Sequence, residues 1–140
     1  MKKISLIIPC YNEEESLPFF YKEAKEVLSK MDYNYELLFI NDGSKDETLS
    51  ILKKYASKDE HVKYFSFSRN FGKEACIFAG LERAKGDCCA VMDCDLQHPP
   101  KTLVEMYHLW EQGYQVVEGD KKARGKESIF YKMSAKLFYK

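Results

Sequence analysis

Residues 90–100 read Ala-Val-Met-Asp-Cys-Asp-Leu-Gln-His-Pro-Pro. An apolar run that predicts a buried strand ends here in two carboxylates, Asp93 and Asp95, and the prolines that follow cannot continue a strand. Ligands of open α/β sheets bind at the carboxyl ends of the strands. Two aspartates with the nearby amide oxygen of Gln97 are hard oxygen ligands, which suit Mg2+ or Mn2+. The stretch therefore predicts a metal site that holds a phosphate at the edge of a sheet.

The composition limits the classes of protein that the chain can belong to. Its 140 residues are 45% hydrophobic and carry 22 Lys and Arg against 22 Asp and Glu, which predicts one domain with a sizeable core. Balanced charge gives no overall attraction to nucleic acid or to an anionic membrane, so nucleic acid is not an expected partner. Because no apolar run approaches the roughly 20 residues of a membrane helix and no signal-peptide core is present, we expect this chain to be soluble and cytoplasmic.

The five cysteines predict free, buried thiols. Their number is odd, they lie mostly in apolar segments, and the adjacent pair Cys88 and Cys89 would make a strained disulfide. A zinc site of these two residues with Cys94 and His98 is disfavoured, since the spacing fits no CxxC pattern and neighbouring strand residues point in opposite directions.

Strands, polar loops and helices alternate along the chain. The predicted strands cover residues 4–9, 35–41, 62–67, 87–92 and 115–119. We predict that Ser16 caps the first helix, that Ser44 and Glu47 form a capping box for the second, and that Gly86 closes the third in a left-handed conformation. Five strands alternating with four helices predict an α/β fold with a mostly parallel open sheet and helices on both faces.

The C-terminal stretch is predicted as a basic loop followed by a helix. The loop covers residues 120–126, and Ser128 would cap a helix with an apolar stripe. The stripe consists of Ile129, Phe130, Met133, Leu137 and Phe138. Because the sequence stops inside this predicted helix, we expect the chain to be a piece of a longer protein.

Polar residues follow each of the first four predicted strands. They are Tyr11, Asn12 and Glu13, then Asp42, then Arg69 and Lys73, then Asp93 and Asp95. Taken one at a time, each of these residues could have a purely structural role in a turn, a helix cap or a surface ion pair. Parallel strands would bring all four loops to one edge, and their agreement favours a shared site.

The residue types in these loops describe a nucleoside diphosphate. The ring of Tyr11 can stack on a base, and Asp42 can accept from a ring N–H or a ribose hydroxyl, while Arg69 and Lys73 can meet a diphosphate. No GxGxxG or GxxxxGK[ST] loop occurs, so basic side chains and a metal would replace such a loop.

Four segments in order resemble family 2 glycosyltransferases of the GT-A fold. They are residues 7–14, 40–44, 68–73 and 92–100. Within that family the chain is similar to the polyprenyl-phosphate glycosyltransferases related to dolichol-phosphate mannose synthase and to bacterial glucosyl carriers, because Leu-Gln-His-Pro-Pro follows the two aspartates. The resemblance implies a Rossmann-like nucleotide-sugar-binding core at residues 1–119, with the basic loop and the start of a further helix at residues 120–140.

The resemblance also implies roles for individual residues. Base and ribose would be held by Pro9, Tyr11 and Asp42, with Glu13 and Lys73 fixing the nucleotide and Asn12 and Arg69 in the same donor site. Asp93, Asp95 and Gln97 would surround the metal. Asp95 would be the most direct ligand and the catalytic residue. Where the family usually has Val-x-Gly-x-Arg, with the arginine on the donor's phosphate, this chain has Lys121 in the donor site, which keeps the charge without the bidentate fork, and Arg124 could compensate.

The reaction implied by the resemblance is inverting transfer of a sugar from a UDP- or GDP-sugar to a lipid phosphate, with Mg2+ or Mn2+. The acceptor half would follow residue 140, so the full-length protein would lie at the cytoplasmic face of the membrane and this chain alone would transfer poorly. Two alternatives stay open: transfer to a saccharide acceptor in cell-envelope polysaccharide synthesis, and a non-catalytic nucleotide-binding module. A phosphatase that uses Asp93 as nucleophile and Asp95 as acid is disfavoured, because in that class the motif follows the first strand.

Overall fold

The computed structural model describes residues 2–95, 100–113, 116–121 and 129–134. The chain forms two compact units, Met1–Pro100 and Lys101–Lys140. The elements of the first unit are β1 (Lys3–Cys10), α1 (Leu17–Ser29), β2 (Asn34–Asn41), α2 (Thr48–Lys58), β3 (Val62–Ser66), α3 (Lys73–Arg83) and β4 (Cys88–Val91). Those of the second are α4 (Thr102–Glu111), β5 (Val116–Lys121) and β6 (Ile129–Ser134).

The first unit is built on a four-stranded parallel sheet with the order β3-β2-β1-β4. Its central strand β1 is buried from Ile4 to Cys10, as expected of a parallel strand covered on both faces. The strand order reverses at β1, because the chain steps outward through β2 and β3 and then returns to place β4 on the other side. The loops that follow β1 and β4 therefore border a topological switch point, where α/β proteins bind ligands.

Helices cover both faces of this sheet, as predicted. On one face Phe20 of α1 meets Phe39 of β2 edge to face, with ring centroids 6.4 Å apart. On the other face Gly80 of α3 packs on Ile7 so closely that a Cβ on Gly80 would lie 2.5 Å from the Ile7 side chain. The α3 face forms an apolar cluster of Ile7, Leu38, Ile40, Cys76 and Ala84.

The predicted helix caps differ from the observed ones. Ser16 stands at the N-cap of α1, but its hydroxyl donates to Glu13 Oε1 (2.8 Å) instead of capping the helix. The capping box of Ser44 and Glu47 is wrong, since Ser44 Oγ accepts the N–H of Asn12 (2.9 Å). The carboxylate of Asp46 accepts the N–H of Thr48 at the start of α2 instead (2.9 Å). The hydroxyl of Ser16 is thus used within its own loop, and that of Ser44 by a contact with the loop after β1.

The predicted left-handed conformation of Gly86 is also wrong. The helix α3 ends at Arg83, and Ala84 is already extended, so no left-handed residue is needed to end it. Gly86 instead lies against β1, where a Cβ would stand 2.7 Å from Ser5 Oγ and 2.8 Å from Lys3 O. The glycine is required there by close packing.

The second unit corrects the prediction for the C-terminal stretch. The fifth predicted strand forms as β5, but it pairs antiparallel with β6 in a separate two-stranded sheet, so the parallel sheet has four described strands. The helix predicted after Ser128 is wrong where the structure describes it, because Ile129–Ser134 form β6. Its first residues, Ile-Phe-Tyr, favour a strand, and β5 supplies the backbone partner. The division into residues 1–119 and 120–140 concerns donor binding and stays a prediction.

Candidate donor and metal site

The loops after β1 and β2 are joined by reciprocal hydrogen bonds. Asn12 adopts a left-handed conformation (φ 52°), which asparagine tolerates better than most residues. Its N–H donates to Ser44 Oγ (2.9 Å), and its side-chain oxygen accepts the N–H of Lys45 (2.8 Å). The N–H of Glu13 donates to Thr48 Oγ1 (2.9 Å). The side-chain oxygen of Asn12 therefore helps to fix these two loops against each other.

The carboxylate of Asp42 anchors the loop between β3 and α3. Asp42 is 4% exposed. Its Oδ1 accepts the N–H of Phe71 (2.7 Å), and its Oδ2 accepts the N–H of Gly72 (3.0 Å) and the side-chain amide of Asn70 (3.1 Å). Burial first, and then the negative charge of Asp42, raise the pKa of the Cys76 thiol to about 12. A residue expected to meet base or ribose is thus bound by three donors of its own chain.

Gly43 brings the β2 loop against the β3 loop. Its φ of +70° is left-handed, and a Cβ there would lie 2.3 Å from the backbone carbon of Arg69. No other residue fits this approach without moving the facing backbone. Together Asp42 and Gly43 determine the path of residues 69–72, and with it the start of α3.

Lys73, the first residue of α3, reaches across the sheet edge to Asp93. Its ammonium nitrogen lies 2.8 Å from Asp93 Oδ1 and 2.9 Å from Oδ2. The pair is open to solvent, with side-chain exposures of 57% for Lys73 and 37% for Asp93. The structure thus brings together two predicted site residues that come from loops on different strands.

The carboxyl of Glu13 is influenced by the charges of the loop after β4. Burial raises the pKa of its carboxyl, the hydrogen bond from Ser16 opposes this rise, and the negative charges of Asp95, Asp93 and then Asp46 add to it. The carboxylates of the loop after β4 therefore affect the pKa of Glu13, which lies in the loop after β1. Such a concentration of negative charge favours a bound cation.

Tyr11 and Arg69 border an open cleft of about 470 Å³. Tyr11 is 42% exposed, and the guanidinium of Arg69 lies 4.6 Å from the ring centroid of Phe71. Small polar residues complete the wall, among them Ser44 and Ser66. An exposed ring beside a cation suits a flat, charged ligand. The strand residue Pro9, which the resemblance assigns to the same ligand, is buried in β1.

The described acids suit a divalent ion whose remaining ligands would come from a bound phosphate. Among the residues that the structure describes, no three His, Cys, Asp or Glu side chains converge to hold a metal. Mg2+ is commonly bound by one or two carboxylates together with substrate phosphates, and Asp93 and Asp95 are the candidates for these carboxylates. Gln97, the third predicted ligand, and His98 lie outside the described residues, as do the side chain of Lys121 and Arg124.

The cysteines are free, as predicted. Cys10, Cys76 and Cys94 are buried, while Cys88 and Cys89 are half-buried. Burial, and then the neighbouring Cys89 and Asp87, raise the pKa of the Cys88 thiol to about 12. Their positions give no metal cluster in the part of the chain that the structure describes.

Sequence reasoning missed how the loop of residues 70–72 is held. Asn70 and the N–H groups of Phe71 and Gly72 bind Asp42, and Asp46 caps α2. The asparagine and the glycine shortly before α3 indicate a tight turn, which needs a partner to hold it. The identity of that anchor depends on strand order, which no local pattern contains.

Comparison with known proteins defines the class. Residues 5–139 match the model of the family described as "Glycosyl transferase family 2", and the chain belongs to this family. It is 43% identical over 136 residues to an uncharacterized glycosyltransferase YkcC of Bacillus subtilis (strain 168), covering 97% of this chain and 42% of that protein. It is 42% identical over 138 residues to a prophage bactoprenol glucosyl transferase homolog of Escherichia coli (strain K12), covering 99% and 45%. The chain thus spans less than half the length of these relatives.

Solved structures agree on the fold. Staphylococcus aureus TarS 1-349 superposes with a TM-score of 0.62 at 24% identity, covering 91% of this chain and 39% of that one. The mannosyltransferase PcManGT of Pyrobaculum calidifontis, solved with GDP-Man and Mn2+, gives 0.65 at 20% identity, covering 86% and 36%. The predicted α/β fold of GT-A type is confirmed. Within the described residues, no helix has the length and apolar character needed to span a bilayer.

Proposed function

We propose that the protein transfers a sugar from a UDP- or GDP-sugar to a polyprenyl phosphate, with inversion and with Mg2+ or Mn2+. The observation that carries this proposal is the contact of Lys73 with Asp93 at the switch point of a GT-A sheet. Relatives named bactoprenol glucosyl transferase, which match nearly the whole chain, support the lipid acceptor. We further propose that the full-length protein acts at the cytoplasmic face of a membrane.

In the proposed complex the base and ribose lie in the cleft beside Tyr11, and the diphosphate points toward Asp93. As the acceptor oxygen attacks the anomeric carbon, the bond to the diphosphate breaks and negative charge grows on the β-phosphate. Lys73 and Arg69 would neutralise this charge. A divalent ion held by Asp93 and Asp95 would supply Lewis-acid stabilisation of the leaving group. A phosphate acceptor is already anionic near neutral pH, so the chain needs no strong general base.

A thermal-shift panel tests donor binding. The protein is melted with UDP, GDP and their sugar derivatives, each with Mn2+ and with a chelator. A donor at about 100 times its dissociation constant adds about 2.7 kcal/mol to the free energy of unfolding, which raises the melting temperature by roughly 10 °C. The shift should disappear with the chelator and in Asp93→Asn. The absence of a metal-dependent shift with every donor would refute the proposal.

Transfer assays on the full-length protein test the acceptor. Polyprenyl phosphate and a saccharide are offered as alternatives, and the anomeric configuration of the product is read by proton NMR. We expect glycosylated lipid phosphate with the inverted configuration. If only the saccharide is glycosylated, the proposed lipid acceptor is wrong. If the configuration is retained, the inverting mechanism is wrong.

A further inference from the structure

Lys73 occupies the position that a cation bound to Asp93 would take. Its ammonium is nearly equidistant from both oxygens of that carboxylate, at 2.8 and 2.9 Å. A divalent ion on Asp93 would stand against the same oxygens. Two cations cannot share this position without strong repulsion.

We propose that Lys73 is an internal counterion of Asp93, which competes with the divalent ion and turns to the donor's diphosphate when the ion binds. This inference rests on the proposed function, because it requires both ligands. It assigns Lys73 two successive partners. The residue would therefore weaken binding of the metal alone and strengthen binding of metal and nucleotide together.

The location of Lys73 supports a role in charge exchange. The first turn of a helix favours acidic side chains, and a lysine there opposes the helix dipole. Lys73 nevertheless stands at the first position of α3. A residue that breaks a local preference is expected where function needs it. Here the compensating interaction is the ion pair with Asp93.

The backbone of Lys73 is held while its side chain is not enclosed. Asp42 binds the N–H groups of Phe71 and Gly72, the two residues that precede Lys73. The Lys73 side chain is 57% exposed, so its ammonium can turn about four flexible bonds without disturbing the core. A fixed backbone and a mobile ammonium would allow Lys73 to move between two neighbouring anions.

Electrostatics give a reason for the exchange. Without a metal, Lys73 offsets the negative charge of Asp93, one of the carboxylates whose charges act on Glu13. Once a divalent ion neutralises the carboxylates, the attraction that holds Lys73 there is reduced. The phosphate oxygens of the donor then become its best partner.

Mn2+ binding to the protein without nucleotide tests the competition directly. Mn2+ is titrated into wild type, Lys73→Gln and Lys73→Arg, and bound Mn2+ is read by electron paramagnetic resonance. We expect Lys73→Gln to bind Mn2+ about two- to fivefold more tightly, the range that an exposed ion pair supports. Lys73→Arg keeps the charge and should stay near wild type. Lys53→Gln removes an exposed charge from α2 and should change nothing.

Nucleotide binding tests the second partner. UDP and GDP are titrated into the same proteins at saturating Mn2+ by isothermal titration calorimetry. Lys73→Gln should bind the preferred nucleotide about tenfold more weakly, since it lacks a charged bond to phosphate. Opposite changes in the two affinities are the signature of the exchange.

The outcomes separate this inference from the proposed function. If wild type binds nucleotide with Mn2+ but Lys73→Gln binds Mn2+ alone no more tightly, the counterion role is wrong and the proposed function stands. If Lys73→Gln binds Mn2+ more tightly but nucleotide equally well, the move to diphosphate is wrong. If wild type binds no nucleotide at any Mn2+ concentration, the proposed function and this inference both fall. Urea unfolding of each variant verifies that it is folded.

Discussion

Replacing Asp42 by asparagine tests whether this carboxylate builds the donor edge. The change keeps the size of the side chain and removes one acceptor oxygen, with its charge. In the wild-type protein both oxygens of Asp42 accept backbone N–H groups, Oδ1 from Phe71 and Oδ2 from Gly72. Whichever way the asparagine amide turns, it faces one of these N–H groups with an N–H of its own.

The expected loss of stability follows from this geometry. A buried donor left without an acceptor costs about 1–3 kcal/mol, and the surviving hydrogen bonds weaken by about 1 kcal/mol when their acceptor loses its charge. Asp42 is 4% exposed, so water does not readily replace the lost acceptor. We expect Asp42→Asn to lower the free energy of unfolding by roughly 2–4 kcal/mol.

Urea unfolding followed by far-UV circular dichroism measures this loss. Hydrogen exchange locates it, since the amides of Phe71 and Gly72 should lose protection before the strands do. The exposed Asp32→Asn is the matched control, with the same change of charge and an expected effect within about 0.5 kcal/mol. If Asp42→Asn unfolds like this control and keeps both amides protected, the carboxylate does not hold the loop.

Three further predictions concern other parts of the first unit. Gly43→Ala should lower the free energy of unfolding by about 2–4 kcal/mol in urea, because it adds left-handed strain and forces the backbone of Arg69 away. Burial alone would raise the pKa of Asp59, but hydrogen bonds from its neighbours lower it overall. Its stabilisation should therefore be present above about pH 4 and be lost as pH falls below, so unfolding curves of wild type and Asp59→Asn should converge in acid. Cys10 and Cys76 should react with a thiol reagent only after unfolding, because both are buried with raised pKa values.

Each of these predictions has a contrary result. A Gly43→Ala protein as stable as wild type would mean that the two loops separate without loss. Curves for Asp59→Asn that stay parallel to wild type down to pH 3 would show that its charge contributes nothing to folding. Rapid labelling of Cys10 or Cys76 in the native protein would show that the core around them opens readily.

The sequence predicted those features that depend on local patterns. Continuous apolar runs located β1 and β2, because a parallel strand covered on both faces carries apolar residues at nearly every position. Asp93 and Asp95 follow β4, which ends at Val91, and so fall at the predicted edge of the sheet. Parallel strands also predict that Lys73 and Asp93 share one edge of the sheet, where the structure places them 2.8 Å apart.

Features that depend on contacts between distant residues could not be predicted. The spacing of the apolar residues after Ser128 indicates a helix, yet Ile129–Ser134 pair with β5 and form a strand. Ser44 has good capping chemistry, yet its hydroxyl binds the N–H of Asn12, 32 positions away. Asp42 has the chemistry of a ligand-binding acid, and only the packed loop shows that its oxygens already have donors.

The strand order also has a consequence for how the protein folds during synthesis. Chains fold from the N-terminus as they leave the ribosome, and β1, β2 and β3 lie close together in sequence. β4 joins β1 from far along the chain, as the bond from the N–H of Lys3 to Asp87 spans 84 positions. We therefore expect a nascent three-stranded sheet with β1 as an open edge, which can pair with other chains until β4 arrives. The acidic corner at Asp93 would be the last part of this sheet to form.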